Sequence, residues 1–74
     1  MRGVFFNELI KMMETDESLF FLTGDTGFNL VEPIFDVAPD RALNVGVAEQ
    51  NMIGIASGLI NAGFVPVCYA ITNF

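Results

Sequence analysis

Histidine is absent from this chain of 74 residues, and only three basic residues stand against nine acidic ones. Without histidine, the chain cannot build a Ser-His or Cys-His nucleophile pair. The net charge of −6 removes the basic surface that drives nucleic-acid binding, so we expect no DNA or RNA partner. Cys68 is the sole cysteine, which excludes an internal disulfide and a cysteine-based metal site and fits a reducing, cytoplasmic setting.

Long apolar runs are also missing. No stretch reaches the ~18 uninterrupted apolar residues of a membrane span, the first residues lack a secretory pattern, and no oxygen-rich metal loop occurs. We therefore expect no membrane association and no metal ligands in this chain. Apolar side chains are nevertheless abundant, at 53% of the residues. One small domain cannot hide so many, which predicts a fragment of a larger domain or an obligate partner of another subunit.

Helical and strand patterns alternate along the chain. Three- and four-residue apolar spacing predicts helices, continuous apolar runs predict strands, and Pro33 and Gly63 suit a helix start and a helix stop. The predicted order is helix 4–13, strand 19–23, helix 30–37, strand 42–45, helix 48–62 and strand 65–70. Short linkers between such elements indicate an α/β fold with a parallel sheet and right-handed crossovers, with the first strand buried on both faces.

Three segments follow the predicted strands: residues 24–27, 46–49 and 71–74. The carboxyl ends of parallel strands are where open α/β sheets bind ligands, so a site is expected there. The Gly-Asp-Thr-Gly turn at 24–27 suits either an anion cradle or a plain turn between strand and helix, and the plain turn is favoured. It matches neither the dinucleotide nor the P-loop glycine pattern.

Glu49 is the one acid set among apolar neighbours, namely Val45, Val47, Ala48, Met52 and Ile53. Apolar surroundings raise the pKa of a carboxyl group, whereas a helix N-terminus favours the carboxylate by ~0.3 to 1 kcal/mol. Two interpretations follow with about equal weight. Glu49 is a proton donor or acceptor, or it caps its own helix.

Several other residues have a purely structural interpretation beside a functional one. Gly54 and Gly58, four apart on the last helix, allow either tight packing on the sheet, which is favoured, or close approach of a second helix. Cys68 is predicted to be a buried, inert thiol because no histidine or lysine lies near it in sequence. Ile71 and Phe74, taken alone, are predicted core residues.

Three segments resemble the pyrimidine-binding domain of transketolase-like, thiamin-diphosphate-dependent enzymes, in particular the C-terminal subunits of split bacterial transketolases. They are Phe21-Leu22-Thr23-Gly24-Asp25, residues 39–59 with the run Asn44-Val45-Gly46-Val47-Ala48-Glu49-Gln50-Asn51-Met52, and Tyr69-Ala70-Ile71-Thr72-Asn73-Phe74. The resemblance implies the thiamin-diphosphate-binding fold, a parallel sheet with helices on both faces. Residues 1–74 then form an incomplete pyrimidine half.

In that family, the glutamate matched by Glu49 hydrogen-bonds the aminopyrimidine ring and promotes the tautomer that takes the proton of the thiazolium carbon. The resemblance further implies that Ile71 and Phe74 pack on the aminopyrimidine and that Asp25 lies near the thiazolium. The implied activity transfers a two-carbon ketol unit between sugars. Two residues depart from the family pattern: Thr26, where a bulky aliphatic is common, and Ile71, where an aromatic is common.

The family's Gly-Asp-Gly motif with its downstream asparagine is missing from the chain. The resemblance therefore implies that diphosphate and magnesium are held by a diphosphate-binding N-terminal subunit, in a homo- or hetero-oligomer acting on a sugar phosphate or related substrate. Because the family's domain extends well past Phe74, we expect an exposed third strand and no activity from the isolated chain. Alternatives are a deoxyxylulose phosphate synthase, an oxoacid dehydrogenase component, or a non-catalytic interaction remnant.

Overall fold

The computed structural model describes residues 2–24, 31–46 and 49–69, without the side chains of Arg2, Glu49 and Gln50. Three helices and three strands alternate, with one short 3₁₀ helix (Pro39–Arg41) before the second strand. Their bounds are α1 (Arg2–Thr15), β1 (Leu19–Thr23), α2 (Glu32–Val37), β2 (Ala42–Asn44), α3 (Glu49–Asn61) and β3 (Val65–Tyr69). The predicted order is confirmed, and the described ends lie within two residues of the predicted ones.

The strands form one parallel sheet in the order β2-β1-β3. β1 is central: Phe21 lies between Ala42 of β2 and Val67 of β3. Leu22 is fully buried, and Thr23 is buried as well. The prediction of a first strand buried on both faces is confirmed for these positions, because β1 has a neighbour on each side and helices above and below.

One face of the sheet carries α1 and α2. Phe6, Leu9 and Met13, spaced three and four apart on α1, are at most 4% exposed and pack on Leu19 and Phe21 of β1. α2 contributes Ile34, Val31 precedes it, and Ala38 follows it in the same core. The ring of Phe6 meets Phe21 and Tyr69 edge-on, with centroids 6.0 and 4.9 Å apart. This face holds the main hydrophobic core.

The opposite face carries α3. Because side chains alternate along a strand, Phe20 and Leu22 point away from Phe21, and the ring of Phe20 meets that of Phe64, just after α3, at 5.6 Å. Helices on both faces are thus confirmed. The α3 layer is thinly covered, since Met52 is 2% exposed while Ile53 and Ile60 are each 60% exposed. The predicted excess of apolar residues is visible at the surface.

The end of α3 follows its predicted glycine signal. The Phe64 N–H donates to the Leu59 carbonyl at 2.9 Å and the Gly63 N–H donates to the Ile60 carbonyl at 3.0 Å. Gly63 has a φ of 94°, the left-handed conformation that such a helix end requires. Pro33 lies in the first turn of α2, as predicted, where its missing N–H costs no helical hydrogen bond.

Gly54 and Gly58 do not pack on the sheet, so the favoured interpretation is wrong. A Cβ atom added at either glycine would meet nothing within 4 Å. At 100° per residue, both lie on the far side of α3 from the buried Met52. They form part of an outward face that is open to another helix.

β3 pairs only with β1 along the described chain, which confirms the predicted exposed third strand. Its outer edge leaves backbone N–H and C=O groups without a strand neighbour. None of the described helices has the length and apolarity that crossing a bilayer requires.

Candidate functional site

The carboxyl ends of the three strands meet at one edge of the sheet. Thr23, the last residue of β1, pairs with Asn44 of β2 on one side and with Tyr69 of β3 on the other. The segments that follow these strands therefore begin side by side, as predicted. Residues 25–30, 47–48 and 70–74 of these segments lie outside the described chain.

A ligand crevice is expected at this carboxyl edge, beside the end of β1. The chain leaves β1 toward α2 on one face and leaves β2 toward α3 on the other, although the two strands are neighbours. In open α/β sheets, this divergence of neighbouring connections is where ligands bind. Sequence reasoning located the edge but not the crevice, because the pairing of β1 with β2 is a tertiary fact.

The turn after β2 is held by two hydrogen bonds. The Val45 N–H donates to the Thr23 carbonyl at 2.8 Å, which extends the pairing of β2 with β1 by one bond. The Gly46 N–H donates to Oδ1 of Asn44 at 2.8 Å. Gly46 has a φ of 75°, in the left-handed region that glycine adopts without strain. This turn directs the chain away from the sheet edge and toward the start of α3.

Glu49 is the first residue of α3, which confirms its predicted place at a helix N-terminus. The unpaired N–H groups of the first turn give this end a partial positive charge, which favours a carboxylate. No other residue of α3 is charged. The side chain of Glu49 lies outside the described residues, so its orientation, pKa and role remain predictions.

The surroundings of the crevice are tight and apolar. Leu22 of β1 is fully buried and Met52 of α3 is 2% exposed. A Cβ atom placed on Gly24 would lie 3.1 Å from the Gly46 carbonyl oxygen and 3.3 Å from Cε of Met52. A carboxyl group held against such a surface loses solvation, which raises its pKa. The described surroundings thus suit the proton-sharing role predicted for Glu49.

The other predicted site residues, Asp25, Ile71 and Phe74, lie outside the described residues. Their neighbours in the chain are well anchored. Thr23 is buried between two strands, and the ring of Tyr69 packs edge-on against Phe6. The chain therefore enters both segments from fixed strand ends, while the placement of the three side chains stays a prediction.

Arg41 is a residue that sequence reasoning missed. Its Nη1 donates to the carbonyls of Asp16 and Leu19, both at 3.1 Å, and its Nη2 donates to the Met13 carbonyl at 3.0 Å. These bonds tie the end of α1 to the start of β1 at the amino edge of the sheet. The sequence signal that could have identified Arg41 was its position as a single basic residue between two predicted elements, directly before the strand at 42–45.

A shallow depression lies at this same amino edge, lined by Glu17, Asp40, Arg41 and Phe64. It is at the opposite end of the strands from the crevice. Because the Arg41 guanidinium already donates to three backbone carbonyls, we assign this region a structural role. In the described ranges, no three Cys, Asp or Glu side chains are grouped to hold a metal ion.

The prediction that Cys68 is buried is wrong, because its side chain is exposed. It lies on β3, an edge strand, and the α3 layer covers that strand incompletely. Partial desolvation raises the pKa of the Cys68 thiol. A raised pKa keeps the thiol protonated at neutral pH, which agrees with the predicted lack of reactivity.

Comparison with known families gives a match over the entire chain. Residues 1–74 match the family described as the transketolase, pyrimidine binding domain. This match covers the three strand ends, the turn after β2 and the whole of α3. The helix that begins at Glu49 is thus part of the matched region.

Two curated relatives are similar to the chain. The 6-deoxy-6-sulfo-D-fructose transketolase subunit SqwH of Clostridium sp. (strain MSTE9) is 33% identical over 75 aligned positions, which cover 100% of this chain and 23% of that protein. An uncharacterized 33.6 kDa protein in the fasciation locus of Rhodococcoides fascians is 36% identical over 62 residues, which cover 84% of this chain and 20% of that protein. The chain therefore spans about a fifth of the length of these relatives.

Proposed function

Because the chain belongs to the transketolase pyrimidine-binding domain family, we propose that it supplies the aminopyrimidine-binding part of a transketolase-type enzyme that uses thiamin diphosphate. When bound, this cofactor supplies the transfer of a two-carbon ketol unit between sugars. The observation that carries the proposal is the carboxyl edge of the sheet, where β1 and β2 end side by side and α3 begins at Glu49.

Glu49 is the proposed catalytic residue. In this role its carboxyl group shares a proton with a ring nitrogen of the aminopyrimidine. The apolar Leu22 and Met52 next to the crevice favour the protonated carboxyl, while the N-terminus of α3 favours the carboxylate. These opposing effects suit a group that must hold and release a proton near neutral pH.

Asp25, Ile71 and Phe74 are the further proposed cofactor contacts. Ile71 and Phe74 pack on the faces of the aminopyrimidine and exclude water from it, and Asp25 lies toward the thiazolium ring. Support comes from the strand ends, because Thr23 and Tyr69, which precede segments 24–27 and 71–74 in the chain, are paired at the same edge.

A second subunit is proposed to hold the diphosphate and its magnesium. The chain has only three basic residues, and Arg41 is occupied at the opposite edge of the sheet. The relative SqwH is itself described as a transketolase subunit, which supports a partnership of this kind. The substrate is then a sugar phosphate or related ketose, and the setting is cytoplasmic.

The outward face of α3 is the proposed contact with another subunit of the oligomer. Ile53 and Ile60 are each 60% exposed on one side of α3, and Gly54 and Gly58 leave room for a close helix about a third of a turn further round. Beyond Glu49 the helix carries no charge, so this face presents no charged side chain of α3 to a partner. This arrangement also accounts for the apolar surplus of the chain.

The isolated chain is proposed to be inactive, because the diphosphate-binding residues lie elsewhere. The first test is to assay ketol transfer with the chain alone and with a diphosphate-binding transketolase subunit. Turnover is expected only from the mixture. Turnover by the chain alone contradicts the two-subunit proposal. Absence of turnover by the mixture at saturating thiamin diphosphate favours the alternative that the chain is a non-catalytic interaction remnant.

The role of Glu49 is tested with Glu49→Gln in the complex, with Glu17→Gln as the matched control at the opposite edge of the sheet. General acid–base groups contribute about 10²- to 10⁴-fold in rate, and we expect Glu49→Gln to lose a factor in that range. Glu17→Gln should stay within about twofold of the wild type, as surface changes away from a site usually do. Full turnover by Glu49→Gln shows that the role is wrongly assigned.

A further inference from the structure

The end of β1 and the first two turns of α3 meet through Gly24 and Met52. We propose that Gly24 and Met52 are positioning residues that seat the start of α3, and with it Glu49, against the carboxyl end of β1. The inference rests on the proposed function for the role of Glu49. Its geometric part concerns described residues alone.

Gly24 is a glycine because of close approach. A Cβ atom there would lie 3.1 Å from the Gly46 carbonyl oxygen and 3.3 Å from Cε of Met52, both tighter than ordinary contact. The φ of Gly24 is outside the left-handed region, so an alanine is conformationally allowed at this position. Substitution by alanine therefore tests the space between β1, the Gly46 turn and α3, and not backbone strain.

Met52 is the buried anchor of the N-terminal half of α3. It is 2% exposed, whereas Ile53, its neighbour in sequence, is 60% exposed. Asn51 and Gly54 are exposed as well. An unbranched methionine fills irregular gaps between elements. Since Met52 lies one turn after Glu49, its contact with the end of β1 determines where the first turn of the helix sits.

The C-terminal half of α3 is held by different contacts. The hydrogen bonds from Gly63 and Phe64 close its last turn, and the Phe64 ring packs on Phe20. A change at Gly24 or Met52 should therefore loosen the first turns and leave the last turn protected. A residue that contributes only to general stability would loosen both halves together.

The test is amide hydrogen exchange on the full chain with four variants. Gly24→Ala and Met52→Ala are expected to speed exchange at Ile53 and Ile55 by about tenfold, with less than about twofold change at Leu59 and Ile60. Gly54→Ala is the matched glycine control, because its Cβ would meet nothing. Met52→Leu, which keeps the volume, should retain exchange close to wild type.

A second readout reports on Glu49 itself. Carbon-13 NMR of its carboxyl group gives the titration midpoint in each folded variant. The midpoint is expected to move toward that of an ordinary glutamate in Gly24→Ala and Met52→Ala, and to stay in place in Gly54→Ala and Met52→Leu. Loss of general stability alone does not change the midpoint in the folded state.

Several outcomes overturn the inference. These are unprotected amides at Ile53 and Ile55 in the wild type, equal acceleration along the whole of α3, no acceleration, or a Glu49 midpoint unmoved by Gly24→Ala and Met52→Ala. Hydrogen exchange requires no thiamin diphosphate. If the Glu49→Gln variant is active, the proposed function is wrong, but the exchange result still stands. Failure of the proposed function and failure of this inference can therefore be told apart.

Discussion

Helices cover the two faces of the sheet to different degrees. On the face of α1 and α2, Phe6, Met13 and Ile34 are at most 2% exposed and form a continuous core with β1. On the face of α3, Met52 is buried but Ile53 and Ile60 are each 60% exposed. The first face holds the chain together, whereas the second face carries the proposed site and the proposed subunit contact.

This difference places stability and function on separate layers. The α1 and α2 layer can be damaged only at a large cost in folding free energy, because its side chains are closely packed. The α3 layer is partly open to solvent, so changes there should act first on association and on the site. Substitutions on the two layers test this division.

Adjacent methionines on α1 offer the sharpest contrast. Met13 is 1% exposed and Met12 is 53% exposed. Met13→Ala should lower the free energy of unfolding by about 2 to 5 kcal/mol, since it leaves a cavity in the core. Met12→Ala should change it by less than about 0.5 kcal/mol. Urea unfolding measures both, and equal losses would contradict the described core.

Arg41 tests the ties at the amino edge of the sheet. Arg41→Met removes three hydrogen bonds from a charged group to backbone carbonyls and should cost about 2 to 3 kcal/mol of unfolding free energy. Lys11→Met is the control, because Lys11 forms an exposed ion pair with Glu8 at 3.7 Å. That pair should contribute less than about 0.5 kcal/mol. Thermal unfolding of both variants should reproduce this order.

The outward face of α3 is tested by new charges at equally exposed positions. Ile60→Glu and Val4→Glu each add one negative charge, at side chains 60% and 62% exposed on opposite layers. Each should change the unfolding free energy of the chain by about 0.5 kcal/mol or less. Ile60→Glu should weaken binding of another subunit in sedimentation velocity, while Val4→Glu should not. Equal weakening would show that α3 has no special part in the interface.

The smallest effect concerns Asp16, at the amino edge. Ser18 donates its hydroxyl to Oδ1 of Asp16 at 2.6 Å and its N–H at 2.9 Å, and these bonds lower the pKa of that carboxyl group. A lowered folded-state pKa gives stability that is present above the unfolded-state pKa and lost as pH falls through the folded-state value. The stability difference between wild type and Ser18→Ala should therefore shrink from neutral pH toward acid.

Ser57→Ala provides the control for this pH dependence. Ser57 is exposed on α3, and its difference from wild type should not vary with pH. Chemical unfolding across the acid range measures both variants. A Ser18→Ala effect that is constant with pH would show that the hydroxyl does not act through the Asp16 carboxylate.

Much of the fold was readable from local signals. The glycine stop at Gly63, the proline in the first turn of α2 and the apolar spacing of α1 each reflect interactions within a few residues, so the helix bounds followed. Glu49 was also found locally, because an acid bracketed by apolar residues at a helix start is unusual. The placement and role of its side chain, and of the side chains of Asp25, Ile71 and Phe74, remain predictions.

The wrong predictions and the unpredicted role of Arg41 share a different cause. Gly54 and Gly58 face outward, Cys68 is exposed and Arg41 binds the end of α1, and each fact depends on which element lies beside which. Helical spacing tells which residues share a side of α3, but not which side meets the sheet. A strand pattern tells that β3 is apolar, but not that it lies at an edge.

Sequence alone predicts the order of helices and strands, the parallel class of the sheet and a helix start next to Glu49, because hydrophobic spacing and helix-end signals act over a few residues. Tertiary structure alone decided that β1 is central, that its connection and that of β2 leave on opposite faces, and that Gly24 meets Met52. These contacts join residues 20 or more positions apart, and their burial free energy arises only once the sheet has assembled.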